Sequence, residues 1–120
     1  MRVIIAGSRN ILDMNDVIRA IAAAPFEITR IVCGKARGPD SLGEDYGNAY
    51  DIPIDPYPAE WRDKNGVFRK NAGYLRNVKM AENADALIAI WDMKSRGTFH
   101  MINIARRLGL IVYIHEVKIM

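Results

Sequence analysis

Three glycine-bearing segments of the chain carry most of the residues that could bind an anionic ligand. They read Gly7-Ser-Arg9, Gly34-Lys-Ala-Arg-Gly-Pro-Asp40 and Asp92-Met-Lys-Ser-Arg-Gly-Thr98. Glycine lets backbone N–H groups approach a phosphate closely. A helix N-terminus adds unsatisfied donors with partial positive charge, and arginine forms charge-assisted hydrogen bonds. The three segments therefore predict a site for a phosphate group.

The candidate ligand-binding residues lie in these segments and in one helix between the last two. They are Gly7, Ser8, Arg9, Gly34, Lys35, Arg37, Gly38, Asp40, Arg76, Asn77, Asp92, Ser95, Arg96, Gly97 and Thr98. Gly97 and Thr98 open the last predicted helix and are the best single candidates. The hydroxyls of Ser8, Ser95 and Thr98 are expected to donate to the ligand.

Three side chains near these segments have two interpretations each. Asp40 is expected to cap a helix, with contact to a ribose hydroxyl as the alternative. Asp92 is expected either to bind a ligand sugar or to pair with a loop arginine. Trp61 is expected to cover the sheet edge, with stacking on a base as the alternative. His100 is expected to be a surface residue, and His115 carries no functional signal.

Short β-branched runs alternate with helical patterns, which indicates βα units around a parallel sheet. Strands are predicted at residues 2–6, 28–33, 52–58, 87–91 and 110–114, with the proline-rich third strand at an edge. The first helix is predicted to be capped by Asp13 or Asn15 and to end near residue 23. Further helices are predicted from 40 or 41 to about 49, at 73–83 and from 98 to about 108, with an irregular segment at 59–73. In the first helix, Val17, Ile18, Ile21 and Ala22 are the expected buried face. Gly43 and Gly47 are expected to let the second helix pack closely on the sheet.

The predicted fold class is α/β, a Rossmann-like three-layer doubly wound parallel sheet of about five strands in the order 3-2-1-4-5. One domain is expected over residues 1–120. Right-handed crossovers place every strand-to-helix loop at the carboxyl edge of such a sheet. Strands one and four are neighbours where the winding reverses, the place where open α/β sheets bind ligands. The three segments are therefore expected to meet there.

Composition limits the possible classes of protein. The formal net charge is only +3, with 17 basic and 14 acidic residues, so the chain is at best a modest nucleic-acid binder. No apolar run is long enough for a membrane span and no export signal is evident, so a cytoplasmic protein is expected. Cys33 is expected to be a small buried residue rather than a nucleophile. Neither a metal nor a cofactor is predicted.

Four segments together resemble a known family. They are Ile5-Ala-Gly-Ser-Arg9, Cys33-Gly-Lys-Ala-Arg-Gly-Pro-Asp40, Arg76-Asn77 with Met80, and Ala86-Leu-Ile-Ala-Ile-Trp-Asp92 followed by Lys94-Ser-Arg-Gly-Thr98. In this order they resemble the small YpsA-related proteins of the SLOG superfamily, often found in bacteria and phages, over nearly the whole chain. The resemblance implies a Rossmann-like fold, a nucleotide-derived ligand and a homo-oligomer, commonly a dimer.

Two better-characterised branches of that superfamily imply different activities. LONELY GUY phosphoribohydrolases cleave the N-glycosidic bond of nucleoside monophosphates with an arginine and a glutamate, which lies three residues after the Thr of a Gly-Gly-x-Gly-Thr loop. The resemblance places Met101 at the glutamate position and leaves Arg76, Glu82 and Asp92 as the weak catalytic candidates. DNA-processing protein A binds single-stranded DNA, and its Arg-Asn-Arg segment resembles Arg76-Asn77-Val78 without the second arginine.

Three hypotheses about function follow. The first is binding or sensing of a nucleotide or nucleotide-derived ligand, which Met101 favours over catalysis. The alternative is a nucleoside 5′-monophosphate N-glycosidase, and the third hypothesis is single-stranded DNA binding. The expected partner is thus a nucleotide-like small molecule, with single-stranded nucleic acid as the alternative. Arg76→Ala and Gly97→Val are predicted to weaken ligand binding without unfolding the protein.

Overall fold

A computed structural model describes residues 1–118 and contains a five-stranded sheet with four helices in that range. The strands are β1 (Arg2–Gly7), β2 (Arg30–Cys33), β3 (Ile54–Pro56), β4 (Ala86–Trp91) and β5 (Ile111–Glu116). The helices are α1 (Met14–Ala23), α2 (Pro39–Ala49), α3 (Ala72–Glu82) and α4 (Arg96–Arg107). All strand pairs are parallel in the order β3-β2-β1-β4-β5. The predicted fold class, strand number and strand order are confirmed.

Alternation along the central strands produces two cores, one on each face of the sheet. In β1, Val3 and Ile5 belong to the core that also contains Val17 of α1. Ile4 and Ala6 point to the opposite face and join a core with residues of α3 and α4. Both faces are thus covered by helices, so the protein has three layers, and the central strands β1 and β4 are apolar except for Arg2 at the start of β1.

Helix α1 shows how the prediction of buried faces was partly wrong. Val17 and Ala20 are buried, whereas Ile18 is 43% exposed and Ala22 is also exposed. Ile21 and Ala24 are partly buried. Together with Val17 and Ala20 they are spaced three and four residues apart, which places their side chains on one face of the helix. The helix is therefore rotated relative to the predicted face.

Helix α2 packs on the sheet through its two glycines, as predicted. A Cβ at Gly43 would lie 2.9 Å from the side chain of Ile5, and one at Gly47 would lie 2.5 Å from Cδ1 of Ile54. Side chains at these positions would push α2 away from the sheet. The glycines thus set the position of the α2 N-terminus, where Asp40 lies.

No helix within residues 1–118 is long and apolar enough to cross a bilayer. Cys33 is buried at the end of β2, and its burial raises the pKa of the thiol to about 11. A thiol with that pKa stays protonated at neutral pH, which agrees with the predicted packing role.

Candidate functional site

A pocket of about 480 Å³ lies at the carboxyl edge of the sheet, where β1 and β4 are neighbours. The loop after β1, the β2–α2 loop, helix α3 and the first turn of α4 all contribute to its wall. Its volume falls within the range of small-molecule sites. The structure thus places a pocket at the reversal of strand winding, where the sequence predicted a ligand.

The three glycine-bearing segments meet beside this pocket. The Ser8 hydroxyl donates to Oδ1 of Asp92 over 2.9 Å and accepts from the Asp92 amide over 3.0 Å. Gly38 has a φ of 79° and a Cβ there would lie 2.8 Å from the Ser8 carbonyl oxygen, so only glycine fits. The predicted meeting of the three segments is therefore present.

Gly7 has a packing role at the end of β1. A Cβ on Gly7 would lie 2.0 Å from the carbonyl oxygen of Ile90, which also accepts the Ser8 amide over 3.0 Å. The glycine is needed because β1 and β4 approach too closely for a side chain. Gly7 also lines the pocket, so its backbone borders the ligand space.

Asp92 organises the β4–α4 loop. Its Oδ1 accepts hydrogen bonds of 2.9 Å from the amides of Lys94 and Ser95 as well as the bond from Ser8. Burial raises the pKa of this carboxyl group, but the hydrogen bonds outweigh burial and hold the pKa below its ordinary value. Within residues 1–118 Asp92 pairs with no arginine and does not line the pocket. The predicted arginine pair is therefore wrong, and the sugar contact has no support from the pocket.

The start of α4 presents free hydrogen-bond donors to the pocket. Ser95 is the N-cap, and its Oγ accepts the Thr98 amide over 3.3 Å and the Thr98 hydroxyl over 3.1 Å. The amides of Arg96 and Gly97 have no partner among residues 1–118. A Cβ on Gly97 would meet no atom within 4 Å, so this helix end is open. Unsatisfied amides of this kind favour an anion.

The hydroxyl groups predicted as ligand donors are partly engaged within the protein. The Ser8 hydroxyl donates its single hydrogen to Asp92, so it has none left for a ligand. Ser95 and Thr98 share one hydrogen between them, which leaves one hydroxyl hydrogen free. The prediction for Ser8 is therefore wrong, because the hydroxyl is needed to join the loops.

Arg76 reaches from α3 across the pocket wall to the β2–α2 loop. Its Nη1 donates to the Gly34 carbonyl oxygen, and its Nε donates to Oδ1 of Asn77 over 3.1 Å. Its Nη2 has no hydrogen-bond partner among residues 1–118. Burial lowers the pKa of Arg76 while Asp40 opposes that change, and arginine stays charged in proteins. The guanidinium group is therefore held in place with donors left for a ligand.

Asp40 lies beneath this guanidinium group and does not cap α2. The N-cap is Gly38, and Asp40 occupies the first turn with only 5% of its surface exposed. Burial raises its pKa to about 6, while Arg76 and the amides of Ala36 and Gly34 limit the rise. The predicted capping role is wrong because Pro39 already begins the helix. Among residues 1–118, Asp40 is the one carboxylate that lines the pocket.

Asn77 connects α3 to the first turn of α4. Because the Arg76 Nε can only donate, Oδ1 of Asn77 faces it and Nδ2 lies 3.2 Å from Nδ1 of His100. Nδ1 of His100 must then accept, which requires the tautomer that carries its hydrogen on Nε2. Burial and the charge of Arg107 lower the pKa of His100 and favour this neutral form. Sequence reasoning expected a surface histidine and missed this link.

Two aromatic side chains complete the wall. Trp61 is 40% exposed, lines the pocket and stacks on Phe68 with ring centroids 6.0 Å apart. Tyr74 also lines the pocket and packs edge-on against His100. Trp61 therefore lies at the carboxyl edge of the sheet with part of its ring accessible, and its stacking on a ligand ring stays a prediction. Sequence reasoning gave Tyr74 no role.

The remaining candidates divide between a neighbouring cavity and the outside. Gly34, Lys35 and Arg37 line the second cavity, with Lys35 also bonded to Oε2 of Glu44 over 3.0 Å. Arg96 is exposed and its side chain lines neither cavity, although its amide begins α4. Glu82 is exposed at the last position of α3 and also lines neither. No group of three metal-binding side chains occurs in the described part of the chain.

No protein-family model, curated protein or solved structure matches this chain. Its class is therefore defined by the fold and the site alone. It is an α/β protein with a Rossmann-like parallel sheet and a pocket with basic residues at the reversal of strand winding.

Proposed function

We propose that the protein binds or senses a nucleotide or nucleotide-derived ligand, whose phosphate lies between Arg76 and the start of α4. One observation carries this proposal. Free donors from two separate elements, Nη2 of Arg76 and the amide of Gly97, belong to residues that line the same pocket. A phosphate has acceptor oxygens on every side and can use donors from both elements together.

The charge of the pocket supports an anionic ligand. Arg9, Lys70 and Arg76 line it, and Asp40 is their one acidic counterpart among the described residues. At neutral pH the wall thus carries an excess of positive charge even with Asp40 ionised. Such an excess in a concave site concentrates anions.

The aromatic wall supports a ligand with a ring. Trp61 and Tyr74 line the same pocket as the phosphate donors. A flat ring stacked on an indole or phenol buries apolar surface on both partners. A phosphate at one wall and a base at the other is the pattern of a nucleotide, which agrees with the resemblance to YpsA-related proteins.

The residue at position 101 favours binding over hydrolysis. Met101 lines the pocket with 1% of its surface exposed, at the position that the resemblance assigns to a catalytic glutamate. A methionine cannot transfer a proton. The proposal therefore makes ligand binding the primary function.

Titration calorimetry with adenosine 5′-monophosphate (AMP) tests this proposal. Arg76→Ala is expected to lower the affinity about 10- to 100-fold, because hydrogen bonds to a charged group contribute about 1.5–3 kcal/mol. Gly97→Val is expected to lower it similarly, since the new side chain enters open space beside the phosphate. Arg106→Ala and Asn103→Val are matched controls on exposed positions of α4. Unchanged AMP affinity in both site variants would show that the phosphate does not bind between Arg76 and the start of α4.

Asp40 provides a specific reason to test N-glycosidase activity as well. Its raised pKa of about 6 suits a general acid near neutral pH, and it lines the pocket. Release of free base with ribose 5-phosphate from a nucleoside monophosphate, abolished in Asp40→Asn, would establish an enzyme. Binding of AMP without turnover would establish the primary proposal instead.

A further inference from the structure

A second cavity of about 330 Å³ adjoins the pocket and contains residues that the proposed phosphate site does not use. The two cavities share the residues Arg9, Ala36, Trp61 and Arg76. A ligand in one cavity can therefore extend into the other along the wall that these shared residues form. The second cavity adds Lys35 and Arg37, and no acidic residue lines it within the described range.

The positive charges of this cavity are only partly balanced. Lys35 is paired with Glu44, and the charge of Arg76 is opposed by Asp40. Arg9 and Arg37 have no carboxylate within 4.0 Å among residues 1–118. Arg9 and Arg37 thus line one small cavity without a carboxylate in ion-pair contact, and this excess of positive charge favours an anion.

Backbone geometry fixes the loop that carries Arg37. Lys35 has a φ of 59° and Gly38 a φ of 79°, so two left-handed residues flank Ala36 and Arg37. The Lys35 amide also lies 3.4 Å from the buried Sγ of Cys33. The Gly34 carbonyl oxygen accepts from Arg76, which ties the loop to α3. The base of the cavity is therefore held by contacts that need no ligand.

We infer that the second cavity takes a second phosphate of the same ligand. The inference rests on the proposed function and narrows it, because the ligand class becomes a nucleotide with two phosphate groups rather than a nucleoside monophosphate. The first phosphate binds Arg76 and the start of α4. The second binds Arg9 and Arg37, whose planar guanidinium groups match phosphate oxygens. Arg76 and Trp61 border both cavities, so the part of the ligand between the phosphates passes them.

Three adenine nucleotides with different phosphates test the inference by titration calorimetry. AMP has one phosphate. ADP has a second phosphate bonded to the first, and adenosine 3′,5′-bisphosphate has its second phosphate on the other side of the ribose. At least one of the two is expected to bind wild-type protein about tenfold more tightly than AMP and with a steeper loss of affinity in salt. Arg37→Ala is expected to reduce that tenfold ratio to nearly one. Arg106→Ala, outside both cavities, is the control and keeps the ratio.

Each other outcome identifies what has failed. If AMP binds and neither second phosphate adds affinity, the second site is overturned while the proposed function stands. A ratio that Arg37→Ala leaves unchanged also overturns it, because the second phosphate then binds elsewhere. Affinity that keeps rising with the length of oligothymidylate would assign the cavities to single-stranded DNA and overturn the small ligand. If no probe binds, the proposed function fails and this inference fails with it.

Discussion

Asp40 and Asp92 lie at the same edge of the sheet and have opposite environments. Asp40 is buried beneath Arg76 and has a pKa raised to about 6. Asp92 accepts hydrogen bonds from Ser8, Lys94 and Ser95, which hold its pKa below the ordinary value. The charge of Asp40 is thus costly in the folded protein, whereas that of Asp92 is stabilised.

This difference separates the two walls of the pocket. At the wall with Asp40, Arg76 supplies a formal positive charge, which the Asp40 carboxylate beneath it partly balances. The wall at the start of α4 supplies backbone donors, and Asp92 lies outside the pocket lining, where it shapes the loop that leads into this helix. A ligand phosphate between them would take charge from one wall and directed amides from the other.

The largest expected effect concerns stability at the Asp92 wall. Asp92→Ala leaves the buried Ser8 hydroxyl and two loop amides without their acceptor, so unfolding in urea should require about 2–3 kcal/mol less free energy. Asp55→Ala is a control, since its pair with Arg30 is exposed and should contribute less than about 1 kcal/mol. Equal losses in the two variants would show that Asp92 does not organise its loop.

The next effect is the pH dependence that Asp40 contributes. Its folded pKa of about 6 exceeds the ordinary Asp value, so the folded state binds more protons between those two values and gains stability as pH falls. Between pH 7 and pH 5 the stability of wild type relative to Asp40→Asn should rise by about 1 kcal/mol. Urea unfolding at the two pH values measures this. A relative stability that falls or stays constant would show that Asp40 is not buried as a charge.

Asp92 should behave in the opposite sense over a lower range of pH. Its folded pKa is lowered, so its contribution is present above the ordinary Asp value and disappears as pH falls through the folded pKa. Asp92→Asn should therefore lose stability relative to wild type at pH 7 and recover part of the difference in acid. The same dependence on pH at both carboxylates would remove the contrast between the walls.

The smallest expected effect concerns the link between the walls. His100→Ala removes one of the two acceptors of the Asn77 amide, while the Gly97 carbonyl oxygen at 3.4 Å and the bond from Arg76 to Asn77 remain. AMP affinity should fall about two- to threefold, because the lost bond is neutral and acts on the ligand only through Asn77, so it contributes about 0.5 kcal/mol, the low end for a neutral hydrogen bond. His115→Ala on β5 is the control. An effect as large as that of Arg76→Ala would place His100 in direct contact with the ligand.

The fold and the position of the pocket could be predicted because they follow from local pattern and chain topology. Alternating strands and helices fix the parallel sheet, and the sheet order brings the loops after β1 and β4 together. The wrong face of α1 arose because seven apolar residues lie among its ten positions. Sequence spacing alone then does not decide which of them, such as Ile18, face solvent.

The roles of individual polar side chains could not be predicted from the sequence. Ser8 and Asp92 are 84 residues apart, and Arg76 is 42 residues from its acceptor Gly34. Such bonds depend on distances of a few tenths of an ångström between packed elements. A hydroxyl can therefore be recognised as a possible donor in the sequence, while the partner that uses its hydrogen is known only from the fold.

The most direct test of the central claim is a crystal structure of the protein grown with AMP. The phosphate oxygens are expected about 2.7–3.2 Å from the Gly97 amide nitrogen and from a guanidinium nitrogen of Arg76. The adenine ring is expected against Trp61. A phosphate bound away from the start of α4, or AMP absent from this pocket while bound elsewhere, would contradict the account.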